Sequence, residues 1–108
     1  MSDEAIHKTI DEKVKNNKFM LFVKGTKDAP MCGFSQATMQ CFNELGVEYE
    51  TVNVLEDPNL RPVLQKYSNW PTTPQVFIDG KFVGGCDITR ELFASGELKK
   101  MVEAALQK

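Results

Sequence analysis

The stretch FMLFV, residues 19–23, constrains the fold more than any other part of this 108-residue chain. Every position is apolar, so the segment has no polar side to turn to water. Five residues is strand length, and far short of the roughly 20 needed to cross a membrane. Such a run reads as a strand buried on both faces, which requires covering elements above and below it. One cover lies just upstream. Ile6, Ile10 and Val14 recur every fourth residue and mark an amphipathic helix that ends near Asn16 and Asn17.

The remaining patterns alternate. Residues 24–31, KGTKDAPM, carry Gly25 and Pro30 and read as a loop. Across 34–45 a helical face formed by Ala37, Cys41 and Leu45 is stopped by Gly46. YETVNV at 49–54 is rich in strand formers. In EDPNLRPVLQKY, Asp57 is placed to cap a helix with Pro58 at its first position, although Pro62 then falls late and predicts a short or irregular helix. QVFIDGKFVGG reads as a hairpin turning at Asp79 and Gly80. A last helical region begins near Asp87, is punctuated by SGE at 95–97, and carries an apolar stripe of Leu98, Met101, Val102, Ala105 and Leu106.

The order is helix, then β-α-β-α-β-β-α, with no internal repeat and no linker. A parallel β-α-β start followed by an antiparallel hairpin predicts an α/β thioredoxin-like fold: a mixed four-stranded sheet flanked by helices, with an extra N-terminal helix. The length predicts one domain over residues 1–108.

Composition narrows the function classes. The chain is 42% apolar and 26% charged, with a net charge of −2, so no basic excess supplies a nucleic-acid footprint. No apolar run is long enough to span a membrane. The N-terminal segment is acidic at its start and lacks the apolar core of a secretory signal. Three cysteines, an odd number, argue for free thiols in a reducing compartment rather than a disulfide scaffold. A cytoplasmic location is expected, or a mitochondrial or plastid matrix if a presequence has been removed.

Cys32 is the residue that asks for chemistry. It follows a strand and a proline-containing loop and opens a helix, where unpaired N–H groups and the positive helix end favour thiolate over thiol. Such placement lowers a cysteine pKa to roughly 3.5–7.5. Gly33 allows close approach of a partner, and the Ser35 hydroxyl is placed to donate to the sulfur. Cys41 shares the apolar face with Ala37 and Leu45 and reads as inert core. Trp70, before Pro71, is open to two readings, packing residue or partner surface. His7 has no ligand set around it and reads as solvent-exposed.

Three motifs carry a resemblance: CGFS at 32–35, WPTTPQ at 70–75 and GGCD at 84–87, supported by the lysine of VKGT and the long loop before the cysteine. Together these resemble the monothiol glutaredoxins of the CGFS class, over essentially the whole chain. The resemblance implies a glutathione site in which Lys24 and Arg61 take the glycine carboxylate, with Phe34 alongside. Thr73, before a cis Pro74, offers backbone hydrogen bonds to the cysteinyl part. Cys86 and Asp87, at a helix start, hold the γ-glutamyl end. The demands of an anionic tripeptide agree: cations at one end, N–H donors at the other and a strand-like edge between.

Serine at position 35 removes the second thiol with which a dithiol protein resolves a mixed disulfide. Release from Cys32 would then depend on a second glutathione or on Cys86, and slow disulfide formation between Cys32 and Cys86 is an expectation. A 2Fe-2S cluster normally takes four thiolates. The resemblance implies that these come from Cys32 of two chains and from two glutathiones, bridging a homodimer. It also implies mixed complexes with a BolA-type protein and delivery to apo iron–sulfur proteins. The leading expectation is therefore a glutathione-dependent iron–sulfur cluster carrier, with at most weak enzyme activity. The alternative is a glutathione-dependent thiol-disulfide oxidoreductase that removes glutathione from protein thiols by a monothiol mechanism.

Overall fold

The computed structural model describes residues 2–108. Helix α1, Asp3–Asn16, starts where the Ser2 hydroxyl accepts the Ala5 N–H at 3.2 Å, with acidic Asp3 and Glu4 in its first turn. Its Ile6, Ile10 and Val14 are buried, as their spacing predicts, and His7 is exposed, its ring edge-on to Tyr67. Strand β1, Phe19–Val23, is buried at all five positions. It lies inside the sheet, parallel to β2 (Glu50–Asn53) and antiparallel to β3 (Gln75–Ile78), which in turn pairs antiparallel with β4 (Lys81–Gly84). The strand order is β2-β1-β3-β4, the thioredoxin-like arrangement expected from the order of patterns.

The double burial of β1 has a simple cause. Successive side chains point to opposite faces of a sheet. Phe19, Leu21 and Val23 join one core with Met39, Phe42, Leu98 and Val102. Met20 and Phe22 join a second with Ile6, Ile10, Val14, Val63 and Leu64. Each fully buried side chain of this kind contributes about 1.5–3 kcal/mol, so both covers are needed to keep the central strand dry.

Helix α2, Gly33–Leu45, ends at Gly46 in the left-handed region. Helix α3 departs from expectation. It spans Leu60–Ser68, with Asn59 and not Asp57 in the cap position and Pro58 outside the helix. The cause is Pro62. A helix begun at Pro58 would need an N–H from residue 62 for the carbonyl of residue 58, and proline has none. Starting at Leu60 puts Pro62 in the first turn, where N–H groups have no intrahelical partner. Asp57 instead closes the preceding turn, accepting the Asn59 N–H through its side chain at 2.9 Å and the Leu60 N–H through its carbonyl at 3.0 Å.

The β3–β4 turn uses Asp79 and Gly80, both with positive φ. The last helical region is two helices, α4 (Cys86–Ser95) and α5 (Glu97–Leu106), parted at Gly96. It starts one residue before Asp87, and Gly85 holds its cap position, so Asp87 sits in the first turn and does not cap.

Candidate functional site

Strands β1 and β4 run in one direction and β3 in the other, so the ends of β1 and β4 and the start of β3 meet at one edge of the sheet. The carboxyl end of the strands is where open α/β sheets place their ligand sites. Here the edge carries a cleft of about 630 Å³. It is lined by Lys24, just past the end of β1, by Arg61, in the first turn of α3, by Cys86 and Asp87, opening α4, and by Cys32, Phe34, Thr73 and Pro74. Eight of the nine positions singled out in the sequence thus share one wall-to-wall space. Gly33 does not line it. It is exposed, and a Cβ added there would meet nothing within 4 Å, so its side is open to an approaching partner.

Cys32 occupies the cap position of α2 in extended conformation and is half-buried. It forms no capping hydrogen bond through its side chain. Its surroundings nevertheless favour ionised sulfur. The Ser35 backbone N–H does most to lower the thiol pKa, helped by the Phe34 N–H, the Ser35 hydroxyl and the Lys24 charge, against a smaller opposing effect of burial. Ser35 is fully buried, and its Oγ accepts the Lys24 N–H at 3.0 Å. The same serine therefore fastens the end of β1 to the mouth of α2 and leaves its proton for the sulfur.

The loop between them is tightly folded. Gly25 and Pro30 pair as a bridge, and the Met31 N–H donates to the Lys24 carbonyl at 3.0 Å. Lys27 reaches back to donate to the Tyr49 carbonyl and lies over the Tyr49 ring, 4.4 Å from its centroid. Met31 and Phe34, 70% and 63% exposed, flank the cysteine with apolar surface. Cys41 differs in every respect: it is buried, its Sγ contacts the Ala37 carbonyl at 3.5 Å, and burial pushes its pKa up.

At the α4 end, no side chain caps the helix, which leaves its first-turn N–H groups without a side-chain partner. The Thr73–Pro74 peptide is cis, as the resemblance implies. Trp70 packs on Phe82 at a centroid distance of 5.5 Å, as the packing reading expects, and also lines the cleft. Gly85 was not singled out. A Cβ there would come within 3.3 Å of both the Pro74 carbonyl and Trp70 Nε1, so the absence of a side chain keeps the cleft floor open. The Gly84-Gly85 pair was the only sequence signal for it. Among the described residues no cluster of three or more His, Cys, Asp or Glu side chains is arranged to hold a metal ion.

Comparison with known proteins agrees with the fold. The glutaredoxin family model matches residues 19–83. A probable monothiol glutaredoxin 2 of Rickettsia conorii is 55% identical over 104 residues, covering 96% of this chain and 97% of its own. The solution structure of reduced poplar apo GrxS14 superposes with a TM-score of 0.88 at 49% identity, covering the whole of both chains. A buckwheat glutaredoxin–glutathione complex superposes with a TM-score of 0.84 at 25% identity, over 95% of this chain and 92% of that one.

Proposed function

This chain belongs to the glutaredoxin family, and from that premise we propose that it is a glutathione-dependent carrier of 2Fe-2S clusters. The observation that carries the reading is the pairing of one activated thiol with a peptide-sized cleft. Cys32 is the cysteine whose surroundings favour the thiolate, and the space beside it is lined by the cations Lys24 and Arg61 and by the uncapped start of α4. Glutathione fits those groups by charge: its glycine carboxylate toward Lys24 and Arg61, its γ-glutamyl carboxylate toward the start of α4. The buckwheat glutaredoxin of the same fold forms a complex with glutathione, which supports glutathione as the ligand.

Ligand counting then leads to the cargo. A cluster takes four thiolates, and with Cys41 buried and its ionisation disfavoured, one chain offers too few. Cys32 from two chains and two docked glutathiones complete the set, bridging a homodimer. A cluster held partly by exchangeable peptides suits transfer to apo-proteins or sharing with a BolA-type partner. Ser35 keeps the sulfur available, because serine cannot draw Cys32 into a disulfide.

Anaerobic reconstitution with iron, sulfide and glutathione tests the proposal. The expected product is a red-brown dimer with visible absorption, abolished by Cys32→Ser. A colourless monomer contradicts it. The lowered Cys32 pKa also favours a second reading, glutathione-dependent thiol-disulfide exchange, whose test is Cys32-dependent turnover in a glutathione-coupled reductase assay. Rates at background count against that activity.

A further inference from the structure

The first residue of β3, Gln75, is buried to 2% exposure. Its Nε2 donates to the Trp70 carbonyl and to the Thr72 carbonyl, each at 3.1 Å. Both neighbours are carbonyl oxygens, so only the NH₂ end of the amide can face them. The other end, Oε1, is buried without a hydrogen-bond partner among the described residues. A buried unpaired acceptor is costly, and an apolar side chain of the same volume would avoid that cost. The NH₂ group must therefore do something that packing alone does not.

Its task follows from the loop it holds. Residues 71–74 contain Pro71 and Pro74, which have no N–H to donate. Among the described residues these four form no backbone–backbone hydrogen bond outside the regular elements. The loop cannot fasten itself, and the two bonds from Gln75 fasten it from beneath. Across a trans peptide the C=O and N–H point in opposite directions. With the Thr72 carbonyl drawn inward to Gln75, the N–H of Thr73 is turned the other way, and Thr73 lines the cleft beside Cys32.

We propose that Gln75 is a positioning residue for the peptide thiol: by holding the Trp70 and Thr72 carbonyls inward, it aims the Thr73 N–H at the cysteinyl part of glutathione. This rests on the cleft being the glutathione site. Gln75 does not line the cleft, and the groups that lower the Cys32 thiol pKa are Ser35, Phe34 and Lys24.

The test is calorimetric titration of glutathione into the wild-type chain and three variants, with the Cys32 thiol titrated in parallel. Gln75→Leu removes both bonds and is expected to raise the glutathione Kd about tenfold or more, with the Cys32 titration unchanged. Gln75→Asn withdraws the amide by one methylene and is expected to show the same loss, which supplies the reading should the leucine variant fold poorly. Gln75→Glu gives the signature that a merely structural role would not: a carboxylate facing two carbonyls repels them, whereas the neutral acid keeps one donor. Its affinity relative to wild type should fall as pH rises through the glutamate titration and recover as pH falls. The Thr73 amide resonance, shifted by glutathione in the wild type, should lose that shift in Gln75→Asn. Wild-type affinity at every pH in folded Gln75 variants overturns the positioning role while leaving the cleft intact. A wild-type chain that takes up no glutathione overturns the cleft reading, and this one with it.

Discussion

The buried hydroxyl of Ser35 accepts the backbone N–H of Lys24 at 3.0 Å, tying the last turn of β1's exit to the helix that Cys32 opens. The residue that stands where a second thiol would be is thus a structural clasp. Ser35→Ala leaves the Lys24 N–H without that partner and is expected to cost about 1–3 kcal/mol in urea unfolding. It should also raise the Cys32 pKa, because the hydroxyl is one of the groups that lower it.

Ser35→Cys separates the two activities. A second sulfur one turn along α2 from Cys32 can resolve a mixed disulfide, so glutathione-coupled reductase turnover should rise. Cluster retention after reconstitution should change at the same time, since Cys32 can then be drawn into a disulfide. Turnover at the wild-type level would show that the missing thiol does not limit exchange.

The pH dependence of alkylation distinguishes the thiols. Cys32 should react with iodoacetamide along a titration whose midpoint lies below the roughly 8.5 of a free cysteine. Its stabilising contribution follows the sign of a depressed pKa: fully present above the unfolded value and lost as pH falls through the folded one. Cys41, pushed upward by burial, should remain unmodified in the native chain and react only on unfolding. Mass spectrometry of the alkylated chain at a series of pH values reads both.

Arg61 is exposed and forms no ion pair among the described residues, so its removal should touch binding and not folding. Arg61→Ala is expected to weaken glutathione affinity by about three- to tenfold, the loss of one charge-assisted contact, and to flatten its dependence on salt. The melting temperature should stay within about 2 °C of wild type.

Gly25 carries the geometry of the loop before the cysteine. It has φ of +95°, and a Cβ there would lie 2.5 Å from the Ala29 carbonyl and 2.6 Å from the Met31 N. Gly25→Ala should cost about 2 kcal/mol or more from strain and overlap together. Because Met31 leads directly into Cys32, glutathione binding should fall with it. Chemical unfolding and calorimetry on the one variant read the two effects.

Much of this architecture is legible in the chain itself. The unbroken apolar run of β1 and the fourfold spacing of Ile6, Ile10 and Val14 reflect burial, which periodicity reports directly. The Asp79-Gly80 turn is legible because only a few residue types accept positive φ. Helix α3 starts two residues beyond the point that Asp57 and Pro58, good start signals taken alone, predict. Only the bonding demand at Pro62, four residues on, decides against them. Most cleft residues are legible through motifs, and Gln75 closes one of them, but its role is not legible. Its amide serves carbonyls three and five residues upstream, and a glutamine at a strand start announces no such partnership.

The measurement that bears most directly on the central claim is the peptide-thiol content of the reconstituted protein. Reconstitution with glutathione, followed by anaerobic gel filtration and quantitation of iron, sulfide and glutathione, should give a dimer holding two irons, two sulfides and two glutathiones, close to one peptide per Cys32. Reconstitution in which dithiothreitol replaces glutathione should give little retained cluster. A dimer that keeps its cluster with no glutathione bound would contradict the account, because Cys32 would then bind iron without the peptide docked beside it.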